Sequence, residues 1–208
     1  MDNESGLSEG SAMVDTDDAD TAADVDLDER GTPMSTLFVE NDPVVESWLA
    51  RRRELGLDGK DEVWEGVYHV APHEHGRNGE TAMALAEHLN ARARSRGLRP
   101  GGSFNLGDPG DFRVPDLGFH RGDESPALYY ASAALVVEVL SPHDETFAKS
   151  SFYAARGVDE LWVVDPLTRS VRIWQLDPTG TEYGETGTSD LLDLTAVSVA
   201  GQLHWPEG

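Results

Sequence analysis

The run "ALVVEVL", residues 134–140, is apolar from end to end except for Glu138. Strand alternation sends Leu135, Val137 and Val139 to one face and Val136, Glu138 and Leu140 to the other, so both faces are apolar and the strand reads as buried. A carboxylate taken out of water is stabilised only by a partner cation or a metal. Whatever fold forms must therefore bring positive charge to the middle of a central strand.

The surrounding chain supplies the layers. "NDPVVESWLARRRELGLDG" predicts an amphipathic helix: Asp42 is placed to cap, Pro43 suits the first position, and Val44, Val45, Trp48 and Leu49 recur at helical spacing before Gly56. "EVWEGVYHV", 62–70, predicts one strand, and "APHEHGRNG" a loop. A second helix is expected from about Glu80 to Arg96, with Ala82, Leu85, Ala86 and Leu89 as its apolar stripe. Short β-type runs follow at "SFNLG", "FRVPDLGFH" and "AALVVEVLS". Then come a helix from about Glu145 to Arg156 and the strands "ELWVVD" and "SVRIWQL", joined by "PLTR". "LLDLTAVSVAGQLHW" is assigned to an edge strand or covering segment. Strands outnumber helices, and helices fall at the start and between strands, so the expected class is α/β, a central mixed β-sheet flanked by helices.

Composition narrows the function. The 208 residues suit one core, and the absence of cysteine excludes a disulfide framework and thiolate zinc sites. No apolar run is long enough to span a bilayer, and a cytoplasmic setting is the default expectation. Residues 1–33 lack aromatic residues and carry dense acidic charge, which predicts a disordered tail ahead of a single domain over 34–208. The net charge is −23; residues 1–30 hold eleven acidic residues and one basic, leaving 28 acidic and 15 basic in the rest. A body this acidic opposes broad adhesion to nucleic acid. DNA binding would need a local positive groove, a partner, or a homodimer that assembles one.

Two further residues could join Glu138. In "FRVPDLGFH", alternation groups Asp116 with Phe112, Val114 and Gly118, and Pro115 implies a bulge or an edge just before it. If the two strands are neighbours, Asp116 and Glu138 approach closely, and a divalent cation is the common way to relieve their repulsion. On the following helix, Phe147, Ser151, Phe152 and Ala155 are read as the inner face. Lys149, Tyr153 and Arg156 form the adjoining stripe, from which the Lys149 ammonium could reach back to the carboxylates.

"VPD" at 114–116, "VVEVLSP" at 136–142, Lys149 with Tyr153, and "GVDELWVVDP" at 157–166 form an ordered series. It resembles the PD-(D/E)XK nuclease superfamily, specifically its Uma-two branch of restriction-endonuclease-like proteins, over roughly residues 60–205. The resemblance implies a restriction-endonuclease-like fold and a metal-dependent endonuclease acting on nucleic acid, with DNA as the expected substrate. Asp116 and Glu138 would be metal ligands, the main-chain carbonyl of Val139 a third, and Lys149 would orient or help deprotonate the attacking water. Mg²⁺ is the implied ion, with Mn²⁺ as substitute. The superfamily's usual lysine lies two residues after the glutamate, where this chain has Leu140; Lys149 matches the position that this branch uses instead. Roles for Glu62 and His75 stay open. The alternative is a nuclease-fold protein of weak turnover that serves as a binding or interaction module.

Other residues have simpler readings. Asp165 before Pro166 is a turn former, and Trp162 a core residue. His69, His73 and His75 fit no zinc spacing. Arg51–Arg53 and Arg92, Arg94 and Arg96 are either solvated helix faces or phosphate contacts.

Overall fold

The computed structural model describes residues 37–39, 43–71, 74–141 and 146–207. The acidic segment 1–33, Asp42 and His73 lie outside them. In chain order the elements are β1 (Leu37–Val39), α1 (Pro43–Glu54), β2 (Glu62–Trp64), β3 (Val67–Val70), α2 (Gly76–Ser95), β4 (Leu98–Gly101), β5 (Asn105–Asp108), β6 (Asp111–Arg113), β7 (Leu117–Arg121), β8 (Tyr129–Tyr130) and β9 (Leu135–Val139). A 3₁₀ turn at Thr146–Lys149 leads into α3 (Ser150–Ala155). It is followed by β10 (Glu160–Asp165), β11 (Ser170–Leu176), β12 (Tyr183–Glu185), β13 (Thr188–Ser189), β14 (Leu194–Thr195) and α4 (Ala196–Gln202).

The α/β class is observed, with the strands in two six-stranded sheets and one short pair. One sheet has the order β12-β11-β10-β9-β7-β4; the other runs β1-β3-β2-β6-β5-β8. Both are mixed: β9 and β10 are parallel in the first, and β5 and β8 in the second, while the remaining pairs are antiparallel. Parallel strands need a long connection to return the chain to the same end. The 3₁₀ turn and α3 provide it between β9 and β10.

Strand β9 sits between the two cores, as its double-faced apolar pattern requires. Leu135, Val137 and Val139 pack with Leu85, Leu89 and Ala93 of α2 and with Ala196 and Val199 of α4. Val136 packs with Leu106, Tyr153, Leu161 and Val163. Leu85 and Leu89 are wholly buried, so truncating either to Ala should cost about 2–5 kcal/mol.

Five expectations need correction. "EVWEGVYHV" is a β2–β3 hairpin rather than one strand, because Glu65 and Gly66 take positive φ of 50° and 87° and turn the chain. Helix α2 starts at Gly76, where the His75 side chain accepts from the Arg77 N–H. Helix α1 forms at the expected place but buries no residue among those described, and Val44 is 77% exposed. The inner face of α3 is Tyr153 and Ala154, while Phe147 is 53% exposed. The tighter 3₁₀ turn before α3 rotates the following residues away from the phase of a continuous α-helix. The C-terminal segment covers the core as expected, but through helix α4, whose Thr195 and Ser198 form a reciprocal cap.

Candidate active site

Pro115 marks more than a bulge. Strand β6 belongs to one sheet and β7 to the other, and residues 114–116 carry the chain between them. Asp116 is therefore a bend residue, to which alternation from Phe112 and Val114 does not extend. Its position follows from pairing instead. The antiparallel β7–β9 register ends with Leu117 opposite Val137, which brings Asp116 beside the end of β9. The Val139 N–H donates to Asp116 Oδ2 at 2.9 Å, which holds the carboxylate at the end of β9.

Glu138 is 3% exposed. Its Oε1 accepts from the Tyr153 hydroxyl and from Lys149 Nζ at 3.4 Å. Lys149 Nζ also lies 2.9 Å from Glu62 Oε1. Glu62 is fixed in turn: its Oε1 accepts from the Val114 N–H at 2.7 Å and its Oε2 from Trp64 Nε1 at 2.6 Å. At the outer side, Lys60 Nζ donates to Asp116 Oδ1 at 2.8 Å. The cluster thus joins both sheets and α3, with carboxylates from Glu62, Asp116 and Glu138 and ammoniums from Lys60 and Lys149.

Three carboxylates against two ammoniums leave one negative charge unmatched. Its effect falls on the most buried acid. Burial pushes Glu138 up to about 8, Asp116 and Glu62 add to the rise, and Lys149 and the Tyr153 hydroxyl oppose it. Burial alone would lower Lys149, but Glu138, Glu62 and Asp116 outweigh it and hold the ammonium above its ordinary range. Burial, reinforced by the same carboxylates, keeps the Tyr153 phenol neutral. Lys60 is likewise raised, Asp116 overcoming the effect of burial.

The residues that would offer oxygen to a hard divalent cation are the carboxylates of Asp116 and Glu138; the Val139 carbonyl accepts from the Asn78 amide at 3.4 Å. Among the described residues, no group of three or more His, Asp or Glu side chains forms a ready metal cage.

Of the residues singled out in the sequence, Asp116, Glu138 and Lys149 are brought together. Glu62, whose role was open, joins them; His75 instead caps α2. Lys60 was not singled out. It lies in the polar loop "GLDGKDE", and only the pairing of distant segments shows its neighbour. The basic clusters serve mainly internal contacts. Arg52 binds Asp61, Arg92 and Arg96 donate to the carbonyls of Leu192 and Leu191, and Arg94 is exposed on α2. His69 stacks on Trp64. Asp165 accepts from the N–H groups of Leu167 and Thr168, and Trp162 is fully buried, both as expected.

The chain is similar to a solved structure described as a putative nuclease belonging to DUF820 from Anabaena variabilis. The TM-score is 0.55 at 16% identity, over 68% of this chain and 89% of that one. At this identity the match shows a shared fold. No curated protein matches the sequence. No helix among the described residues is long and apolar enough to cross a membrane. Residues 51–204 match the family described as "Uma2: Putative restriction endonuclease", and the chain belongs to that family.

Proposed function

We propose that this protein is a metal-dependent endonuclease that hydrolyses phosphodiester bonds in DNA, with Asp116 and Glu138 holding Mg²⁺ and Lys149 assisting the attacking water. The observation that carries the reading is the Asp116 carboxylate held on the Val139 N–H, one residue from Glu138, with the Lys149 ammonium 3.4 Å from Glu138 and 2.9 Å from Glu62. Asp116, Glu138 and the Val139 carbonyl would hold the ion. When bound, Mg²⁺ supplies Lewis-acid polarisation of a phosphoryl oxygen and lowers the pKa of coordinated water.

The chain's own residues do the remaining work. Lys149 stays protonated because three carboxylates surround it, so it acts as a donor that orients water and offsets charge on the phosphate; it does not take the proton. Glu62 and Tyr153 fix the geometry around it: Glu62 anchors Lys149, and Tyr153 directs the Glu138 carboxylate. In-line attack of the oriented water, its proton released to solvent, forms a new P–O bond as the ester P–O bond breaks and the leaving oxygen takes a proton from solvent.

Metal-dependent nicking of supercoiled plasmid by wild type, Asp116→Ala and Lys149→Ala tests the reading. Both variants should lose at least about 100-fold in rate. Equal nicking by all three would assign the signal to contamination. The rival, a nuclease-fold binding module without turnover, has one observation in its favour: Arg52, Arg92, Arg96, Arg113 and Arg156 are committed to internal pairs or carbonyls. Folded protein that neither nicks nor retains plasmid would favour it.

A further inference from the structure

The cluster holds two ammoniums, and the proposed chemistry uses one. Lys149 is enclosed, with 13% of its side chain exposed, whereas Lys60 retains 35% exposure and meets Asp116 at the rim. The backbone beside Lys60 is firmly mounted. Asp61, 2% exposed, accepts from Arg52 at 2.9 Å, from the Tyr68 hydroxyl at 3.1 Å and from the Ala71 N–H at 2.9 Å. A fixed Cα with a long, rotatable stem and a half-open ammonium can change partners without moving the chain.

Lys60 also has a second acidic neighbour. Glu74 lies within electrostatic reach of the same ammonium and of Asp116, just before α2. Lys60 Nζ occupies Asp116 Oδ1, while Asp116 Oδ2 is engaged by the Val139 N–H. A divalent ion taking Asp116 as ligand therefore meets a positive charge already resting on Oδ1. Like charges on one carboxylate oppose each other, so metal entry requires that the ammonium withdraw.

We propose that Lys60 is a built-in counter-ion for Asp116, which yields that oxygen to a divalent cation, so that residue 60 sets metal affinity. The proposal rests on the reading of Asp116 and Glu138 as a metal site. It gives Lys60 a positioning role whose signature has an unusual sign: removing a merely structural ion pair loosens a site, whereas removing a competing charge tightens metal binding.

Isothermal titration with Mn²⁺ on the full chain tests this, using wild type, Lys60→Met, Lys60→Gln, Lys60→Arg and Asp116→Asn. Thermal melts with and without Mn²⁺ provide a second readout. Both neutral Lys60 variants should bind Mn²⁺ about three- to tenfold more tightly than wild type and show a larger metal-induced rise in Tm. Lys60→Arg keeps the charge and should bind no tighter than wild type. Lys60→Gln keeps the question answerable if Lys60→Met fails to fold. Unchanged or weaker binding by the folded neutral variants, while Asp116→Asn abolishes binding, would overturn the counter-ion role and leave the metal site standing. Absence of Asp116-dependent Mn²⁺ binding in every form would overturn both.

Discussion

Glu138 with Lys149 and Asp116 with Lys60 are both acid–ammonium pairs at the same strand ends, yet their surroundings differ. In the inner pair the side chains are 4% and 13% exposed; in the outer pair they are 17% and 35%. The inner pair is assembled by β9, the 3₁₀ turn and α3, elements that the core holds in place. The outer pair joins a bend to a loop. Breaking a buried ion pair by removing one partner costs about 3–5 kcal/mol, because the other charge is left stranded. A pair near the surface is worth about 0–1 kcal/mol. The same chemistry is thus structural on one side of the cluster and adjustable on the other, and a metal site needs both: fixed ligands and a replaceable charge.

The largest effect should come from Lys149→Met. It leaves Glu62 without its ammonium and forces Glu138 to stay protonated in the interior, and we expect a loss of about 3–5 kcal/mol in urea unfolding along with the loss of nicking. A stability change within about 0.5 kcal/mol would mean that the inner pair is no more demanding than a surface one, and the contrast would fail.

The next test is Glu138→Gln as a function of pH, in the presence of a chelator. A carboxyl whose pKa is raised on folding binds its proton more tightly folded than unfolded. The stability tied to Glu138 is therefore full below about pH 4.5 and is lost as pH rises to about 8. Wild type should lose Tm across that window, and Glu138→Gln should lose less. Parallel curves would show that the unmatched charge lies elsewhere. Lys149 titrates above this range and does not contribute to the slope.

Tyr153→Phe is expected to be milder. It deletes the hydroxyl that donates to Glu138 while keeping the buried ring, at a cost of about 1.5–3 kcal/mol for a hydrogen bond to a charged group. With that donor gone, Glu138 should titrate at higher pH, and the fall in Tm should move upward along the pH axis. A loss of stability without this displacement would assign Tyr153 to packing alone.

Part of this arrangement was legible in the chain. Periodicity was reliable where one element continues unbroken: β9 with Glu138 facing the second core, Leu85 and Leu89 on α2, and the β10–β11 hairpin with Asp165 at its turn. It failed where geometry changes within a few residues. Alternation could not be carried through Pro115 to Asp116 because the chain changes sheets there, although the pairing of β7 with β9 still brings Asp116 onto the Val139 N–H beside Glu138. The 3₁₀ turn exchanged the faces of α3, so Phe147 points out and Tyr153 in. Gly66 in "WEGV" was a readable turn signal for the hairpin that positions Glu62, and the Thr195–Ser198 cap a readable start for α4. Lys60 left no local signal, since its meaning depends wholly on a partner 56 residues away.

The smallest expected effect on stability is also the most informative about the comparison. Asp116→Asn keeps the shape of the side chain and, with its amide oxygen toward β9, an acceptor for the Val139 N–H, so the strand junction survives. What disappears is the charge facing Lys60, and an ammonium at 35% exposure can turn to water or to Glu74. Urea unfolding should therefore change by at most about 1 kcal/mol. Nicking, by contrast, should fall at least about 100-fold, since an amide oxygen is a poor substitute for a carboxylate as ligand to a hard cation. Separation of the two readouts in this variant, against their joint loss in Lys149→Met, would establish that the outer half of the cluster is held for chemistry and the inner half for folding as well. If Asp116→Asn instead destabilised the protein as much as Lys149→Met, the outer pair would be part of the framework, leaving no replaceable charge for a metal ion to displace.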